Sequence, residues 1–304
     1  LCLAGGVALN CVANGLIQRE KIFKNIWIQP AAGDAGGSIG SALALWHIHF
    51  KKNRVLTKND KMSGSYLGPS YDLNSIKSYL EKIGANFKIL EKRKMLRTVA
   101  KMISEGKAIG WFQGKMEFGP RALGSRSILA DPRNKLMQKQ LNLKIKFRES
   151  FRPFAPSILE EESKNWFNLD CKSPYMLVVS DVKKNKLVEI KSNLNSLSTI
   201  NQIRSIVPSI THVDNSARIQ TVSRNTNPIF YELISEFYKV TQTPILINTS
   251  FNIRGEPIVC SPQDAFKCFM GTNLDVLVIE NCVLEKNKQN KNLLRNYKKE
   301  FNLD

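Results

Sequence analysis

This 304-residue chain has few histidines and cysteines, far fewer acidic than basic residues, and no long uninterrupted apolar run. His47, His49 and His212 are its three histidines, too few to assemble a His-rich zinc site. The six cysteines, at 2, 11, 171, 260, 268 and 282, form no CxxC pair and no regular framework. That spacing excludes a small disulfide scaffold; it fits a reducing cytoplasm, with most of the thiols as small core residues. The most apolar opening stretch, residues 1–17, carries Asn10 and Asn14 and has no basic leader. It reads as neither a signal peptide nor a membrane span. Asp and Glu number 26 against 45 Lys and Arg, a formal charge of +19. Such a surplus favours anionic partners, whether phosphates, nucleic acid or an anionic membrane. The remaining composition, 42 % hydrophobic and 23 % charged, is ordinary globular usage and excludes wholesale disorder.

The length gives room for about two domains. Because the first residue is Leu, in what reads as a buried strand, the chain is expected to be the C-terminal piece of something longer. After that strand come a Gly5-Gly6 turn and an apolar-periodic helix, then a strand over residues 26–29. A small-residue loop, 30–37, leads to a helix over 38–50 with Ser38 as its cap. Strand, glycine turn and helix in succession belong to α/β architecture. Residues 51–65 are polar, charged and aperiodic, and mark the expected domain boundary. Beyond it the periodicity predicts helices over 74–82, 95–105, 135–143, 229–241 and 262–270. Strands are predicted over 87–90, 108–112, 176–182, 244–248 and 276–279, with a long loop across 113–132. Residues 183–201 read as a surface excursion, and 286–304, with six cations and two anions, as a partly disordered basic tail.

Nine cations and two anions lie between Arg121 and Arg152. Several of the cations stand in Gly- and Pro-punctuated loops beside aromatics: Gly119-Pro120-Arg121, Lys146-Phe147-Arg148 and Phe151-Arg152-Pro153-Phe154. Loops held by apolar anchors are where binding groups tend to be fixed. Arginine matches phosphate or carboxylate oxygens with two parallel hydrogen bonds, so converging cations point to a small, highly charged anion. A basic surface with no ligand is the plainer alternative. Asn248-Thr249-Ser250-Phe251-Asn252 clusters polar groups just past an apolar strand, where open α/β sheets bind ligands, unless it merely closes a turn. His212-Val213-Asp214-Asn215-Ser216-Ala217-Arg218 is a second polar knot, with His212 read as a structural hydrogen-bonder. Gly5 and Gly6 are a weak phosphate-loop signal that a tight turn explains equally well. Asp34, alone among Ala and Gly, could reach a metal, a hydroxyl or a ribose, or simply cap the next helix. Glu117 is given no catalytic role.

Four long strings together resemble the NodU/CmcH-type O-carbamoyltransferases. They are GWFQGKMEFGPRALGSRSILADPR from Gly110, KIKFRESFRPFAP from Lys144, THVDNSARIQT from Thr211 and PILINTSFNIRGEPIVC from Pro244. LAGGVALN and QPAAGDAGGSIGSAL resemble the end of the family's larger N-terminal domain. The resemblance implies an α/β (α+β) fold in three parts. Residues 1–62 would be the remnant of an actin/sugar-kinase-like domain, and 63–287 a C-terminal domain like the threonylcarbamoyl-adenylate (YrdC-type) synthases. Residues 288–304 would be a basic tail. It also implies an ATP-dependent enzyme that, with Mg²⁺, converts carbamoyl phosphate to carbamoyl adenylate. The carbamoyl group then passes to a hydroxyl-bearing acceptor such as a sugar or secondary metabolite.

By motif, Arg121, Lys146 and Arg148 would be catalytic, and Arg152, Arg218, Ser250 and Asn252 would bind substrate. Lys146-x-Arg148 and Ser250-x-Asn252 are similar to paired motifs of the adenylate synthases. Gly5, Gly6 and Asn10 would contact nucleotide, and Asp34 would ligate a divalent metal, iron in the intact enzymes. The family's paired histidine ligands have no counterpart here, so the metal site is incomplete, and a separate chain carrying the N-terminal half is an expected partner. Asn215 stands where the family has Gly, with a mild effect expected on that turn.

Two other readings stay open: a folded, inactive remnant of such an enzyme, and a nucleic-acid-binding module. Against the second, nucleic-acid binders interleave exposed aromatics with cations. Here Phe118, Phe147, Phe151 and Phe154 read as loop anchors.

Overall fold

The computed structural model describes residues 1–57, 60–189, 202–295, 297 and 301. In chain order the elements are β1 (Cys2–Leu3), α1 (Cys11–Arg19), β2 (Trp27–Ile28), α2 (Gly36–Ala44), α3 (Leu73–Lys82), β3 (Lys88–Ile89), α4 (Lys92–Ser104), β4 (Ile109–Phe112) and β5 (Arg126–Ala130). They continue with α5 (Met137–Leu141), β6 (Ala155–Leu159), α6 (Ser163–Trp166), β7 (Val178–Asp181), β8 (Ser216–Val222), α7 (Pro228–Thr241), β9 (Ile245–Ser250), α8 (Pro262–Gly271), β10 (Val276–Ile279) and β11 (Cys282–Glu285).

Nine of the strands make one mixed sheet in the order β3-β11-β10-β4-β5-β9-β6-β8-β7. The pairs β10/β4 and β6/β8 are parallel, and the others are antiparallel. Successive side chains on a strand point to opposite faces, and the two faces meet different layers. Ile109 and Trp111 of β4, Val276 and Val278 of β10 and Leu246 of β9 face α4 and α7. Those helices bury Met95, Leu96, Val99, Ala100 and Ile103, and Phe230, Leu233, Ile234 and Phe237, each set a stripe of helical spacing. Phe112, Leu277, Ile279, Ile245 and Ile247 face the other way, into a core shared with Ile76, Leu80 and Phe269. Local chemistry sets the helix starts. Asp72 accepts from Ser75 N at 3.0 Å, Asn227 precedes Pro228, and Ser261 and Asp264 form a capping box around Pro262.

The first segment forms no comparable core. β1 and β2 pair in parallel as a separate two-stranded sheet, and Ala8, Ile28 and Ala32 join the main core. Its helix α1 docks on the edge strand β7. Asn14 Nδ2 donates to Leu177 O at 3.0 Å and Ala8 O at 2.8 Å. Gly15 permits the approach, since a Cβ there would lie 2.2 Å from Val179 O.

Several expectations need correction. The expected loop across 113–132 contains β5, and β6, β8 and β11 also lack a counterpart in the periodicity. The polar run from Asn248 does not begin past a strand, because β9 extends to Ser250, and the second polar knot ends inside β8. Ser38 lies within α2, with its Oγ on Ala35 O; the position before the helix is Ala35. The regular helix stops at Ala44 and continues as a wider turn over Leu45–His49. Only Cys268 and Cys282 are buried, while Cys2 and Cys260 are exposed. Of the four aromatic anchors, Phe154 is buried but Phe151 is 51 % exposed. Parts of the expected boundary (58–59), excursion (190–201) and tail (296, 298–300, 302–304) lie outside the described residues. Among the described residues no helix is long and apolar enough to cross a membrane.

Candidate functional site

Where β9 ends and the neighbouring β6 and β8 begin, one face of the sheet turns polar. Register places Asn248 opposite Ala155, and Ser157 opposite Gln220. Residues two apart on a strand share a face, so Ser250 joins Asn248 and Arg218 joins Gln220 on that side. Above them lies a cavity of about 310 Å³ lined by Arg121, Arg148, Arg152, Arg218, Asn248 and Ser250, closed by Phe154, Ala155 and Met176. None of its described lining residues is acidic.

Four guanidinium groups thus converge in a space open to a small ligand. Arg152 is exposed and pairs with Glu149 at 3.1 Å. Among the described residues, Arg121, Arg148 and Arg218 have no carboxylate within ion-pair distance. Burial pushes the Arg148 guanidinium below its ordinary range to about 10, and the like charge of Arg152 adds to the shift. Arg218 moves the same way, through burial first and then Arg121. Burial also lowers Arg121. Arg148 and Arg218, each near 10, stay charged at neutral pH. Cations gathered out of water without counter-charge repel one another and are stabilised when an anion pairs with them.

The loop carrying Arg148 and Arg152 is held by Asn142, a buried residue on the turn after α5. Its Nδ2 donates to Ser150 O at 3.1 Å and Arg152 O at 2.8 Å, and its Oδ1 accepts from Arg148 Nε at 2.7 Å. Arg148 also lies over the Phe154 ring, 5.1 Å from its centroid. Phe147 takes a left-handed φ of 50° at the end of this turn, so Lys146 and Arg148 diverge. Lys146 turns into the wall behind the cavity. Its Nζ donates to Ser250 Oγ at 3.1 Å, to Asn252 O and Oδ1 at 2.9 Å each, and to Ser250 O. Burial, then the charge of Arg148, lowers the Lys146 ammonium to about 7. The Lys-x-Arg and Ser-x-Asn motifs therefore meet in space.

Of the residues singled out in the sequence, Arg121, Arg148, Arg152, Arg218 and Ser250 line the cavity, with Lys146 and Asn252 behind Ser250. Gly5, Gly6 and Asn10 are exposed and do not line it; Asn10 Oδ1 caps α1 by accepting from Ala13 N at 3.1 Å. This segment still touches the site, because Arg121 Nη2 donates to Leu9 O at 3.3 Å. Asp34 is exposed, and among the described residues no group of three or more His, Cys, Asp or Glu side chains converges. The described donors therefore do not by themselves make up a divalent metal site. Asn215 sits at φ 65°, the conformation for which its Gly counterpart is suited. Burial lowers the half-buried His212, whose Nδ1 lies 3.5 Å from Ser216 Oγ, and that hydroxyl donates to Asp214 Oδ1 at 2.6 Å. Glu117 organises the Arg121 loop: its Oε1 accepts from Leu123 N at 2.6 Å and Ser125 N at 2.8 Å. Asn142, Ser157 and Gln220 were missed by sequence reasoning, and no motif singles them out.

Fold and site define a mixed α/β protein with an arginine-lined cavity at a sheet end. The family model for the carbamoyltransferase C-terminus matches residues 100–286, and that for the carbamoyltransferase N-terminus matches residues 1–43. The chain belongs to the carbamoyltransferase family. The uncharacterized protein sll1178 of Synechocystis sp. is 53 % identical, over 100 % of this chain and 50 % of its own length. Nodulation protein NolNO of Sinorhizobium fredii is 41 % identical over 94 % of this chain and 40 % of its own. Nodulation protein NolO of Bradyrhizobium diazoefficiens is also 41 % identical, over 94 % and 49 %. The chain spans about half the length, or less, of these curated relatives. A crystal structure of full-length HypF in the phosphate- and nucleotide-bound form aligns at TM-score 0.40 and 17 % identity, over 64 % of this chain and 22 % of that one. That likeness is too loose to carry an argument.

Proposed function

We propose that this chain carries the activating part of an ATP-dependent carbamoyl transfer. Carbamoyl phosphate would bind in the arginine cavity and lose its phosphate to water. The resulting carbamate would attack the α-phosphorus of ATP, giving carbamoyl adenylate and pyrophosphate. The observation that carries the reading is the convergence of Arg121, Arg148, Arg152 and Arg218 on a 310 Å³ cavity without an acidic lining residue. Attack of one anion on another gathers negative charge, and fixed cations stabilise that gathering more than the separated reactants. Lys146 would position Ser250 and Asn252 beside the reacting groups. Gly5, Gly6 and Asn10 would contact the nucleotide, which enters with Mg²⁺. A Cβ added at either glycine would meet no atom within 4 Å, so that side is open.

Transfer to a hydroxyl-bearing acceptor, a sugar or secondary metabolite, would need the rest of the acceptor domain and its metal. The first segment leaves apolar side chains exposed, Val7, Val12, Ile22, Ile48 and Leu56 among them, which such a polypeptide would cover. No step here runs through Asp34.

The test is pyrophosphate release from ATP, Mg²⁺ and carbamoyl phosphate. Release that requires carbamoyl phosphate and disappears in Arg121→Ala supports the activating reaction. A folded sample with no release, alone or with the remaining half supplied in trans, would favour an inactive remnant. Salt-sensitive binding of any nucleic acid sequence without release would favour the nucleic-acid reading.

A further inference from the structure

Five buried polar side-chain atoms among the described residues have no hydrogen-bond partner, and two belong to residues lining the arginine cavity: Arg121 Nε and Asn248 Oδ1. One is a donor and the other an acceptor. The orientation of the Asn248 amide follows from its neighbours. Gln220 Nε2 donates to Leu123 O at 2.8 Å, which turns Gln220 Oε1 toward Ser157 and Asn248. Ser157 Oγ donates to that Oε1 at 2.5 Å, so Ser157 Oγ is left as an acceptor. Asn248 Nδ2 then faces three acceptors: Gln220 Oε1 at 2.9 Å, Ser157 Oγ at 3.0 Å and Ala122 O at 3.1 Å. Backbone carbonyls only accept, so they anchor the whole chain of amides and the Asn248 amide cannot turn over without loss. Its Oδ1 is left as a fixed, buried acceptor, on a residue 1 % exposed that lines a cavity otherwise rich in donors.

We infer that Asn248 and Arg121 read the amide end of the bound acyl phosphate, so that the site selects a carbamoyl group over an isosteric acyl group. This rests on the reading that carbamoyl phosphate binds here. The arginines account for the phosphate but not for an unpaired acceptor. A carbamoyl group offers one carbonyl oxygen for Arg121 Nε and an N–H for Asn248 Oδ1. Acetyl phosphate has the same shape and anionic group, with a methyl where the amide nitrogen stands. A site built to hydrogen-bond an N–H rejects the analogue lacking it, because its own polar atom stays unpaired. Gln220 acts as a positioning residue through Asn248.

The test is calorimetric titration of the chain with freshly dissolved carbamoyl phosphate, acetyl phosphate and inorganic phosphate. The expected preference for carbamoyl over acetyl phosphate is about 10- to 100-fold. Asn248→Ala should bind the two acyl phosphates equally. Gln220→Leu should lose most of the preference while still binding inorganic phosphate. The wild-type comparison stands even where a variant fails to fold. Equal binding of both acyl phosphates by the wild type overturns the inference and leaves the proposed function intact. A preference retained in folded Asn248→Ala also overturns it. If the wild type binds none of the three, the proposed function fails and the inference fails with it.

Discussion

Helices α7 and α2 are both apolar, yet α7 buries Phe230, Leu233, Ile234 and Phe237 whereas α2 buries no residue. The first lies on the nine-stranded sheet beside α4; the second belongs to a segment with only a two-stranded sheet of its own. An apolar pattern specifies that a helix can be buried, and the opposite layer decides whether it is. The same contrast separates the arginine cavity, built on the sheet end, from Gly5, Gly6, Asn10 and Asp34, which the first segment leaves exposed.

The largest effect is expected in the core. Phe230→Ala should cost about 3–5 kcal/mol in urea unfolding, because the ring is fully buried between sheet and α4. A cost below about 1 kcal/mol would mean that α7 is not the covering layer described here.

Next comes the buried lysine. Lys146 in the folded chain lies near 7 and in the unfolded chain near 10.5. Between those values the unfolded chain holds more protons, so this group makes stability rise with pH. Its contribution is complete above about 10.5 and is lost as pH falls toward about 7. Urea midpoints at about pH 7.5 and 9.5 should show the wild type gaining on Lys146→Met by about 2 kcal/mol. A difference that stays flat across that window would mean that the ammonium is not penalised by burial.

Within the cavity, Arg218→Ala should weaken inorganic phosphate binding about 10- to 100-fold, as for loss of a charge-assisted hydrogen bond. Arg152→Ala should weaken it only a few-fold, since Arg152 is exposed and already paired with Glu149. Titration of the two variants side by side checks the order, and a reversal would move the anion to the rim. The smallest effect belongs to α2. Leu43→Ala, at a side chain 51 % exposed, should change stability by less than about 0.5 kcal/mol in the same urea assay. Should a covering polypeptide be added and bind, that cost should grow to about 2 kcal/mol or more.

What was legible in the sequence follows from the same physics. Strand β10 stood out because Val276–Ile279 is a continuous apolar run between turns, and α7 because its apolar positions recur at helical spacing. Strand β8 did not, because Arg218 and Gln220 alternate with Ala217 and Ile219, so the half of the strand that serves the site hides the half that serves the core. Strand β5 was hidden by Arg126, a charge that reads as loop. In the fold Arg126 donates to Gln113 O, Gly114 O, Ser125 O and Pro69 O and stacks on Phe112 at 3.5 Å. The site's arginines were legible as a local surplus of charge. Asn142, Ser157 and Gln220 were not, because an amide or hydroxyl acquires its role from partners that no neighbouring residue announces.

By itself the sequence determined the helix periods, the cation surplus and the family strings. All of these rest on interactions or patterns within a few turns of chain. The tertiary structure alone decided which cations share a cavity, that Lys146 faces Ser250 across 104 residues, and that the Asn248 side-chain oxygen meets no donor. Those outcomes depend on strand register and on burial, and both arise only when distant segments exclude water together.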